Sequence, residues 1–544
     1  MSKTGLVRST SIMVVCIGIT KFLGIISLVP LNQLLGNTGQ GFYSTAYNLY
    51  TILLVLATSG FPVALSKLIS ERAAVKQYGE IEELYRFTMR LVVSFAVFGA
   101  LLVWFGAPYY AALVAIHANR HEISQMTLSI RALAPAILFV PLESVLRGYL
   151  QGFQQVKGPA ISQAIEQLFR VLVAVGGAFL MIKIGRGVAE GAAAATFGAF
   201  IGAFAGVLVL WAAIVPVRRQ HILPSERQSH LGNRHMWQML YTVALPVCLG
   251  SLVVPISSNI DSITVVNLLT HFAGQTFRQA EAGFGVLSRQ AQNLVQLPLA
   301  FAMAVGFSVM PAISSAKALR DTSAIQANII APIRMMFFVT FPAAATFFAL
   351  ARPIEYILSN DYTGAAIIAT ISFMCIFSSL ELMSTYILQG LGQFYKPVQN
   401  MFYGIALKAI LNIVLIVLLK NVIGAAIATI IGYMLSSTLN IRAVRKYSGV
   451  KFSIFRLAMP FFLATLPLLI ELCIVNYVLG DVGMRIFHTS TWIWNVLQLM
   501  VSCLTGGILY LFVALRMRVL RPNQLRALPF IGQRLSRFSE RRWG

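Results

Sequence analysis

The chain has 544 residues, of which 58% are hydrophobic and 11% charged, with a formal net charge of +24 and a mean hydropathy of +0.76. A soluble domain usually carries about 25% charged residues, so this chain has too few to cover a surface that faces water. Apolar runs of about 20 residues, long enough to cross a bilayer, recur along the sequence. Because these runs are continuous and lack strand alternation, they indicate an all-α polytopic membrane protein.

The apolar runs predict fourteen membrane-spanning helices. In chain order they cover residues 10–35, 42–66, 88–115, 129–150, 160–183, 189–215, 236–268, 283–313, 331–350, 365–390, 398–419, 422–441, 454–479 and 490–516. The first run is too long for the apolar part of a cleavable signal peptide, so it is expected to be a retained helix. The five cysteines form no CxxC pair, so neither a disulfide framework nor a metal site is expected.

Basic residues concentrate in one alternate set of the predicted loops, for example at Lys67, Arg72, Arg218 and Arg445. The positive-inside rule places such loops in the cytoplasm, which predicts that both termini are cytoplasmic. The strongly basic tail, residues 517–544, is expected to lie on anionic lipid headgroups. A nucleic-acid partner is not expected, because cations in membrane proteins more often reflect this sidedness.

A repeated motif divides the chain into related parts. The sequence LQGFQQVKGP at 150–159 returns as LQGLGQFYKP at 388–397, an offset of 238 residues. The repeat predicts an N-terminal six-helix lobe at 1–220, a second at 236–450 and two appended helices at 451–516, followed by the tail. Six helices per lobe give both lobes the same orientation, a parallel repeat typical of transporters that work by alternating access.

Several motifs resemble one branch of a transporter superfamily. They are TKFLG at 20–24, LLGNTGQGFYSTAY at 34–47, SGFPVALSKLISE at 59–71, LQGFQQVKGPAISQAIEQLFRV at 150–171, NIDS at 259–262 and VMPAISSA at 309–316. Together they are similar to the multidrug/oligosaccharidyl-lipid/polysaccharide exporters, in the branch of stage V sporulation protein B and the MurJ-type lipid II flippases. The likeness covers about residues 5–450.

The resemblance implies a V-shaped, two-lobed bundle of fourteen helices in the bacterial cytoplasmic membrane. It implies translocation of an undecaprenyl-pyrophosphate-linked saccharide, such as lipid II or a polysaccharide precursor. The head group would occupy a central cavity, and residues 451–516 would form a groove for the lipid tail. The chain is expected to act as a monomer.

Ionisable residues inside the predicted spans are candidates for function, because each costs about 2.5–3.5 kcal/mol and needs a partner or a hydrated cavity. The resemblance places Lys21 in the central cavity, either as a contact for an anionic head group or as half of a structural ion pair. Asn259 and Asp261 in the seventh span are further candidates for binding substrate in the central cavity. Asp261 has several possible roles. It could pair with Lys21, bind a coupling cation, cap a break in the helix or carry a proton.

The eighth span carries a polar stripe at helical spacing. Its candidate substrate-binding residues are Arg289, Gln292 and Gln296. Arg289 is the second candidate for binding an anion, although a position near the outer headgroups is an equal alternative.

Another set of charged residues favours structural or gating roles. Glu166 and Arg170 are spaced i, i+4, so they are expected to form an ion pair on one helix face. Lys408 repeats the position of Arg170, and its partner is not assigned. Glu143 and Glu381 are repeat-equivalent and are expected to pack helices or form a gate.

The sequence features and the resemblance leave four hypotheses for the function of the protein. A lipid-linked saccharide flippase leads, with no cofactor and with possible coupling to the membrane potential or to an H⁺ or Na⁺ gradient. A cation-coupled multidrug exporter of the same superfamily is the alternative. A membrane enzyme is disfavoured, because the sequence has no long soluble loop and no cluster of Asp and His. A structural protein of sporulation or division stays open.

Overall fold

The computed structural model describes residues 3–58, 61–74, 76–116, 118–153, 155, 157–221, 232–487 and 491–519. Within these ranges the chain is helical and has no strand. The helices are α1 (Lys3–Thr58), α2 (Phe61–Ala74), α3 (Tyr78–Val114), α4 (Arg120–Gly152), α5 (Lys157–Lys183), α6 (Val188–His221), α7 (Asn233–Phe272), α8 (Phe277–Gly285), α9 (Gln292–Ala318), α10 (Thr322–Ala349), α11 (Ala351–Ser359), α12 (Ala365–Ile371), α13 (Met374–Gly390), α14 (Tyr395–Leu419), α15 (Ile423–Ser448), α16 (Ile454–Phe487) and α17 (Trp492–Arg516).

The helices confirm a multi-pass membrane protein. Ten segments of the described chain are long and apolar enough to cross a membrane, and they coincide with predicted spans three to six and nine to fourteen. Predicted spans one and two fall in α1 and the start of α2, span seven falls in α7, and span eight runs from α8 into α9. The described helices are therefore consistent with fourteen spans. Large apolar side chains such as Phe98, Phe105 and Leu418 are exposed, as residues that face lipid tails are.

The first two predicted spans meet inside α1. Gly36 breaks the helix there with φ of 61° and ψ of −177°, in the left-handed region that glycine enters without steric penalty. The break lies in the gap expected between residues 35 and 42. Within the second span, α1 ends at Thr58 and α2 begins at Phe61, on either side of two residues that lie outside the described part of the chain. Pro62 lies in the first turn of α2, where a missing N–H removes no helical hydrogen bond.

Two further spans are interrupted. The predicted span at 283–313 begins in α8, passes through a π-helical turn at Val286–Ala291 and continues as α9. The span at 365–390 is divided between α12 and α13 only by Ser372 and Phe373, whose backbone angles stay in the right-handed helical region. Hydrophobic run length does not reveal such local changes of helix type, because it measures only the length of the apolar segment. π-helical turns occur frequently at functional sites.

The duplicated motif forms the same corner in both places. In the first copy, the N–H of Gln155 donates to the carbonyl of Leu150 at 2.9 Å. In the second, the N–H of Gln393 donates to the carbonyl of Leu388 at 2.8 Å. Such a hydrogen bond across five residues closes the end of a helix by satisfying a terminal carbonyl.

The glycine of each corner allows a close helix contact. A Cβ atom on Gly152 would lie 2.6 Å from Cβ of Ile69 in α2. A Cβ atom on Gly390 would lie 3.0 Å from Cβ of Ile313 in α9 and 2.7 Å from the carbonyl oxygen of Met310. Both glycines are therefore needed for packing against a neighbouring helix of the same unit.

The chain packs as two units, Met1–Gly285 and Val286–Gly544. Helices α7 and α8 thus pack with the first unit, whereas the sequence repeat assigns them to the second lobe. Packing and sequence repetition are different properties, so the lobes at 1–220 and 236–450 stay a prediction. The basic tail predicted for 517–544 lies outside the described residues from residue 520 onward.

Candidate functional site

Four charged side chains meet inside the first unit. This ionic cluster consists of Glu143 and Arg147 of α4 and Glu166 and Arg170 of α5. Arg147 pairs with Glu143 and also with Glu166, whose Oε2 lies 2.7 Å from its Nη2. Arg170 pairs with the other oxygen of Glu166. Glu166 therefore bridges two guanidinium groups, and the cluster has no formal net charge.

The ionic cluster is only partly withdrawn from solvent. Glu143 is 1% exposed, whereas Arg147 and Arg170 are 19% and 20% exposed. Burying a charge stabilises a protein only when partners replace its hydration, which the pairs here provide. The guanidinium groups form the more accessible edge of the cluster.

Glycines of α6 provide the space that the side chains of the ionic cluster occupy. A Cβ atom on Gly206 would lie 2.1 Å from Oε1 of Glu143, and one on Gly202 would lie 2.6 Å from the carbonyl oxygen of Glu166. The glycine-rich sequence of α6 thus serves helix packing, as small residues do in membranes. It also explains why two carboxylates fit between α4, α5 and α6.

The sequence reading of the ionic cluster was incomplete. The Glu166–Arg170 pair has the i, i+4 geometry expected from its spacing. Arg147, which the sequence analysis did not select, lies in α4 and pairs with Glu143 at the same spacing. Tyr47 was also missed, and its hydroxyl lies 3.4 Å from Nη1 of Arg170. Structural or gating roles for Glu143, Glu166 and Arg170 stay predictions.

A second polar group joins α1, α3 and α7. The side chain of Asn259 donates to the carbonyl of Asn48 at 2.6 Å and to that of Pro255 at 2.9 Å, and it accepts from Tyr110 at 2.9 Å. Asn48 in turn donates to Ser262 at 2.8 Å. Asn259 therefore uses its amide to hold α7 against α1 and α3 in this conformation. Its role in binding substrate stays a prediction.

Asp261 and Lys21 were the two strongest substrate candidates. Asp261 lies in α7 and is buried. Lys21 belongs to α1, but its side chain lies outside the described part of the chain. The expected pairing between them therefore stays a prediction.

The polar stripe of the predicted eighth span belongs to the second unit. Arg289 lies in the π-helical turn and is partly exposed. Gln292 is partly exposed and Gln296 is exposed in α9. All three side chains are thus at least partly exposed, and their binding role stays a prediction.

Glu281 is a buried carboxylate that the sequence analysis did not select. It lies in α8, is fully buried, and accepts a hydrogen bond from the hydroxyl of Thr45 in α1 at 3.1 Å. Its Oε2 accepts no hydrogen bond from a residue that the structure describes. A Cβ atom on Gly41 would lie 2.4 Å from the backbone oxygen of Glu281, so α8 packs closely on α1. No local spacing in the sequence signals this tertiary contact.

The second unit contains the two repeat-equivalent candidates. Glu381 of α13 accepts from the hydroxyl of Thr385 at 3.0 Å and from the amide of Asn440 in α15 at 3.5 Å. Asn440 accepts from Asn400 of α14 at 2.8 Å. Lys408 is buried in α14. These contacts tie three helices together by hydrogen bonds.

An apolar cavity of about 730 Å³ lies between α10, α13 and α16 of the second unit. Aromatic side chains line much of it, including Phe337, Phe341, Phe377, Phe455 and Phe462. Such a cavity suits a hydrocarbon chain, because it offers apolar surface and almost no hydrogen-bonding groups. Helix α16 thus contributes to an apolar cavity, in the region where a lipid-tail groove was expected.

Helices long and apolar enough to cross a membrane, paired charges within the first unit and an apolar cavity within the second are typical of membrane transporters. The chain matches the family described as "Polysaccharide biosynthesis protein" over residues 6–317 and belongs to that family. It is a member of the multidrug/oligosaccharidyl-lipid/polysaccharide exporter superfamily, in the branch that contains MurJ and stage V sporulation protein B.

A relative is similar over almost the whole chain, and two solved structures share the fold. The chain is 26% identical over 538 residues to lipid II flippase MurJ of Bacillus subtilis (strain 168), covering 96% of this chain and 97% of that protein. A solved structure of MurJ in an inward closed conformation has a TM-score of 0.67 at 15% identity and covers 93% of this chain and 98% of that one. An inward-facing multidrug transporter of the MATE family also has a TM-score of 0.67, at 14% identity. It covers 80% of this chain and 98% of that one.

Proposed function

We propose that the protein is a flippase for an undecaprenyl-pyrophosphate-linked saccharide, such as lipid II or a polysaccharide precursor. The observation that carries this proposal is the similarity to a lipid II flippase over 96% of the chain. The protein works by alternating access and carries the head group across the bilayer without forming or breaking a covalent bond.

The proposed binding chemistry uses cations for the head group and apolar surface for the tail. A pyrophosphate attracts guanidinium and ammonium groups strongly where water is scarce, and Arg forms bidentate hydrogen bonds to phosphate. Lys21 and Arg289 are the proposed contacts, and the accessible edge of Arg147 and Arg170 is an additional one. The apolar cavity beside α16 holds part of the polyprenyl chain.

The proposed driving force is the membrane potential, an H⁺ gradient or an Na⁺ gradient. The sequence contains no GxxxxGK[ST] motif for binding nucleotide phosphates. Moving one charge through a potential of 100 mV changes the free energy by about 2.3 kcal/mol. An interior-negative potential therefore favours outward movement of an anionic head group. Asp261 is the proposed residue for cation or proton coupling.

We place the protein in the bacterial cytoplasmic membrane with both termini in the cytoplasm, on the basis of the charge distribution of its loops. The basic tail then meets the anionic inner leaflet. A monomer suffices for this mechanism, because one chain supplies every residue that it uses.

Complementation of a bacterial strain depleted of its lipid II flippase tests the proposal. The unmodified chain is expected to restore growth, and Lys21→Ala and Asp261→Ala are expected to abolish it at unchanged protein abundance. Lys451→Ala, which removes an exposed loop cation, serves as the matched control and should complement. Growth with both cavity variants would contradict the assignment of these two residues.

A cation-coupled multidrug exporter is the second candidate, because a multidrug transporter has the same TM-score as the flippase. The flippase structure nevertheless covers 93% of this chain and the multidrug transporter 80%. An assay of lipid II accessibility at the cell surface, run beside a drug-susceptibility panel, separates the two. Loss of drug resistance with normal lipid export would favour the exporter.

A further inference from the structure

A second, polar cavity lies wholly within the second unit. It has a volume of about 510 Å³ and is formed by α11, α16 and α17 together with Tyr362. This volume lies within the usual range of small-molecule sites, roughly 300–1,000 Å³. Unlike the apolar cavity beside α10, it is lined by amides, aromatic rings and two opposite charges. Its lining identifies the chemistry of a ligand.

Amide side chains form one part of the lining. Gln498 is 5% exposed, and its Nε2 donates to the backbone oxygen of Asn476 at 2.8 Å and to Oδ1 of Asn476 at 2.6 Å. Its Oε1 accepts no hydrogen bond from a residue that the structure describes. Asn495 lines the same cavity and donates to the carbonyl of Thr491 at 2.9 Å. This amide oxygen can therefore accept a hydrogen bond from a ligand that supplies an O–H or N–H group.

Aromatic rings form a second part of the lining. They belong to Tyr362, Tyr477 and Trp494. The indole N–H of Trp494 donates to the carbonyl of Leu479 at 2.9 Å, which fixes the orientation of its ring. Such side chains combine an apolar face with a polar group, so they suit a ligand that has both.

Among the residues that the structure describes, the lining has one cation and one anion. Arg352 lies with its guanidinium carbon 5.8 Å from the centre of the Tyr362 ring, and Asp481 supplies one carboxylate. One cation and one anion give no net attraction for a pyrophosphate or for a cationic drug. A neutral ligand rich in hydroxyl groups can instead accept from the guanidinium and donate to the carboxylate. These combined properties are those of a saccharide.

We propose that this cavity binds a neutral saccharide on the outer side of the membrane. Helix α11, the end of α16 and the start of α17 all fall on the outward side in the predicted topology, because the cationic loops mark the opposite side. The ligand is either a free saccharide or the sugar of a glycolipid in the outer leaflet. The proposal does not depend on flippase activity, since a multidrug exporter with this chain would contain the same cavity.

Cys473 provides a direct test, because it lines the cavity and is exposed. The full chain carrying Cys16→Ser and Cys503→Ser is placed in nanodiscs and labelled with a membrane-impermeant maleimide. N,N′-diacetylchitobiose and maltose are the saccharide probes, and inorganic pyrophosphate is the anionic control. At least one saccharide is expected to slow labelling about tenfold, which pyrophosphate should not do. Failure of Cys473 to label without ligand, or equal protection by pyrophosphate, would overturn the proposal.

Variants of the lining residues test whether the saccharide protects Cys473 by binding in this cavity. A Cβ atom on Gly480 would lie 3.8 Å from Nε2 of Gln498, an ordinary contact, so Gly480→Ala should preserve protection and Gly480→Leu should abolish it by filling the cavity. Trp494→Ala is expected to raise the half-protecting concentration about tenfold, which corresponds to about 1.4 kcal/mol. Trp492→Ala is the matched control, because its indole also donates to a backbone carbonyl, that of Ile357, but it does not line the cavity.

Nanodiscs of different lipid composition distinguish a free saccharide from the sugar of a glycolipid as the ligand. If glucosyl-diacylglycerol protects Cys473 and phosphatidylglycerol alone does not, the ligand is a glycolipid sugar. If only free saccharide protects, the ligand is soluble. Protection by phosphatidylglycerol equal to that by saccharide would show a lipid-headgroup site and contradict the proposal. Protection in a chain that fails the complementation assay would leave the saccharide site intact and reject only the flippase function.

Discussion

Two regions of the molecule occupy equivalent positions in the repeat and carry different chemistry. At the offset of 238 residues, the four members of the ionic cluster of the first unit correspond to four residues of the second. The equivalent pairs are Glu143 and Glu381, Arg147 and Thr385, Glu166 and Gly404, and Arg170 and Lys408. One carboxylate and one cation are therefore retained at equivalent places, whereas neutral residues replace Arg147 and Glu166.

The two equivalent carboxylates are stabilised by different kinds of partner. Glu143 pairs with a guanidinium group, whereas Glu381 accepts hydrogen bonds from a hydroxyl and an amide. Gly404, which replaces the bridging Glu166, instead allows α14 and α15 to touch, since a Cβ atom there would lie 2.5 Å from the carbonyl oxygen of Gly432. The same helical scaffold thus supports an ion network in one unit and close packing in the other.

The largest loss of stability should come from removing Glu166, the carboxylate that bridges two guanidinium groups in the first unit. Glu166→Leu leaves Arg170 with only the hydroxyl of Tyr47 among the described residues. Breaking a buried ion pair on one side is strongly destabilising, so we expect a loss of about 3 kcal/mol. The midpoint of thermal unfolding in detergent, followed by size-exclusion fluorescence, measures the effect. Adding Arg170→Leu should recover part of the loss, and full additivity of the two changes would argue against the pair.

The packing role of the second region is tested at Gly404. Gly404→Ala forces a contact with the backbone of Gly432, and we expect a cost of about 1–3 kcal/mol from overpacking. Gly176→Ala is the control, because α5 is open around that glycine, with nothing within 4 Å of an added Cβ atom. The control should be neutral or slightly stabilising, since Ala is the better helix former. Equal unfolding midpoints for the two variants would refute close packing at Gly404.

The two equivalent carboxylates should also respond unequally to neutralisation. Glu143→Gln removes the charge that faces Arg147, whereas Glu381→Gln retains an acceptor for Thr385. Net contributions of hydrogen bonds between neutral groups are about 1 kcal/mol, and those to charged groups are larger. We therefore expect the first variant to lower the unfolding midpoint more than the second, by the same fluorescence assay. A larger loss from Glu381→Gln would reverse the comparison.

An exposed carboxylate gives the smallest expected effect and a reference for the buried ones. Asp321 precedes α10, and the N–H of Ala324 and the hydroxyl of Ser323 donate to it, which lowers the pKa of its carboxyl. A lowered pKa means that its stabilising effect is present above the ordinary value of about 3.9 and disappears as the pH falls through the lowered one. Asp321→Asn keeps a capping side chain and should reduce only the dependence on pH at acidic values. Unfolding midpoints compared between acidic and neutral pH test this difference.

The sequence by itself determined the class, the number of apolar runs and the recurring corner, because these depend on local composition and spacing. The membrane requires long apolar segments, and a repeated Leu-Gln-Gly motif repeats the same helix end at Gly152 and Gly390. Local spacing also anticipated the Glu166–Arg170 pair. The same rule applied to Glu143 would have found Arg147 before the structure did.

Only the tertiary structure decided which distant residues meet. The contacts of Tyr47 with Arg170, of Asn259 with Tyr110 and of Glu281 with Thr45 join residues far apart in the sequence. The polar cavity likewise is formed by α11, α16 and α17 together, and no one of these helices contains all of its lining residues. A hydropathy pattern measures each helix against lipid, whereas these contacts depend on how helices rotate and pack against each other.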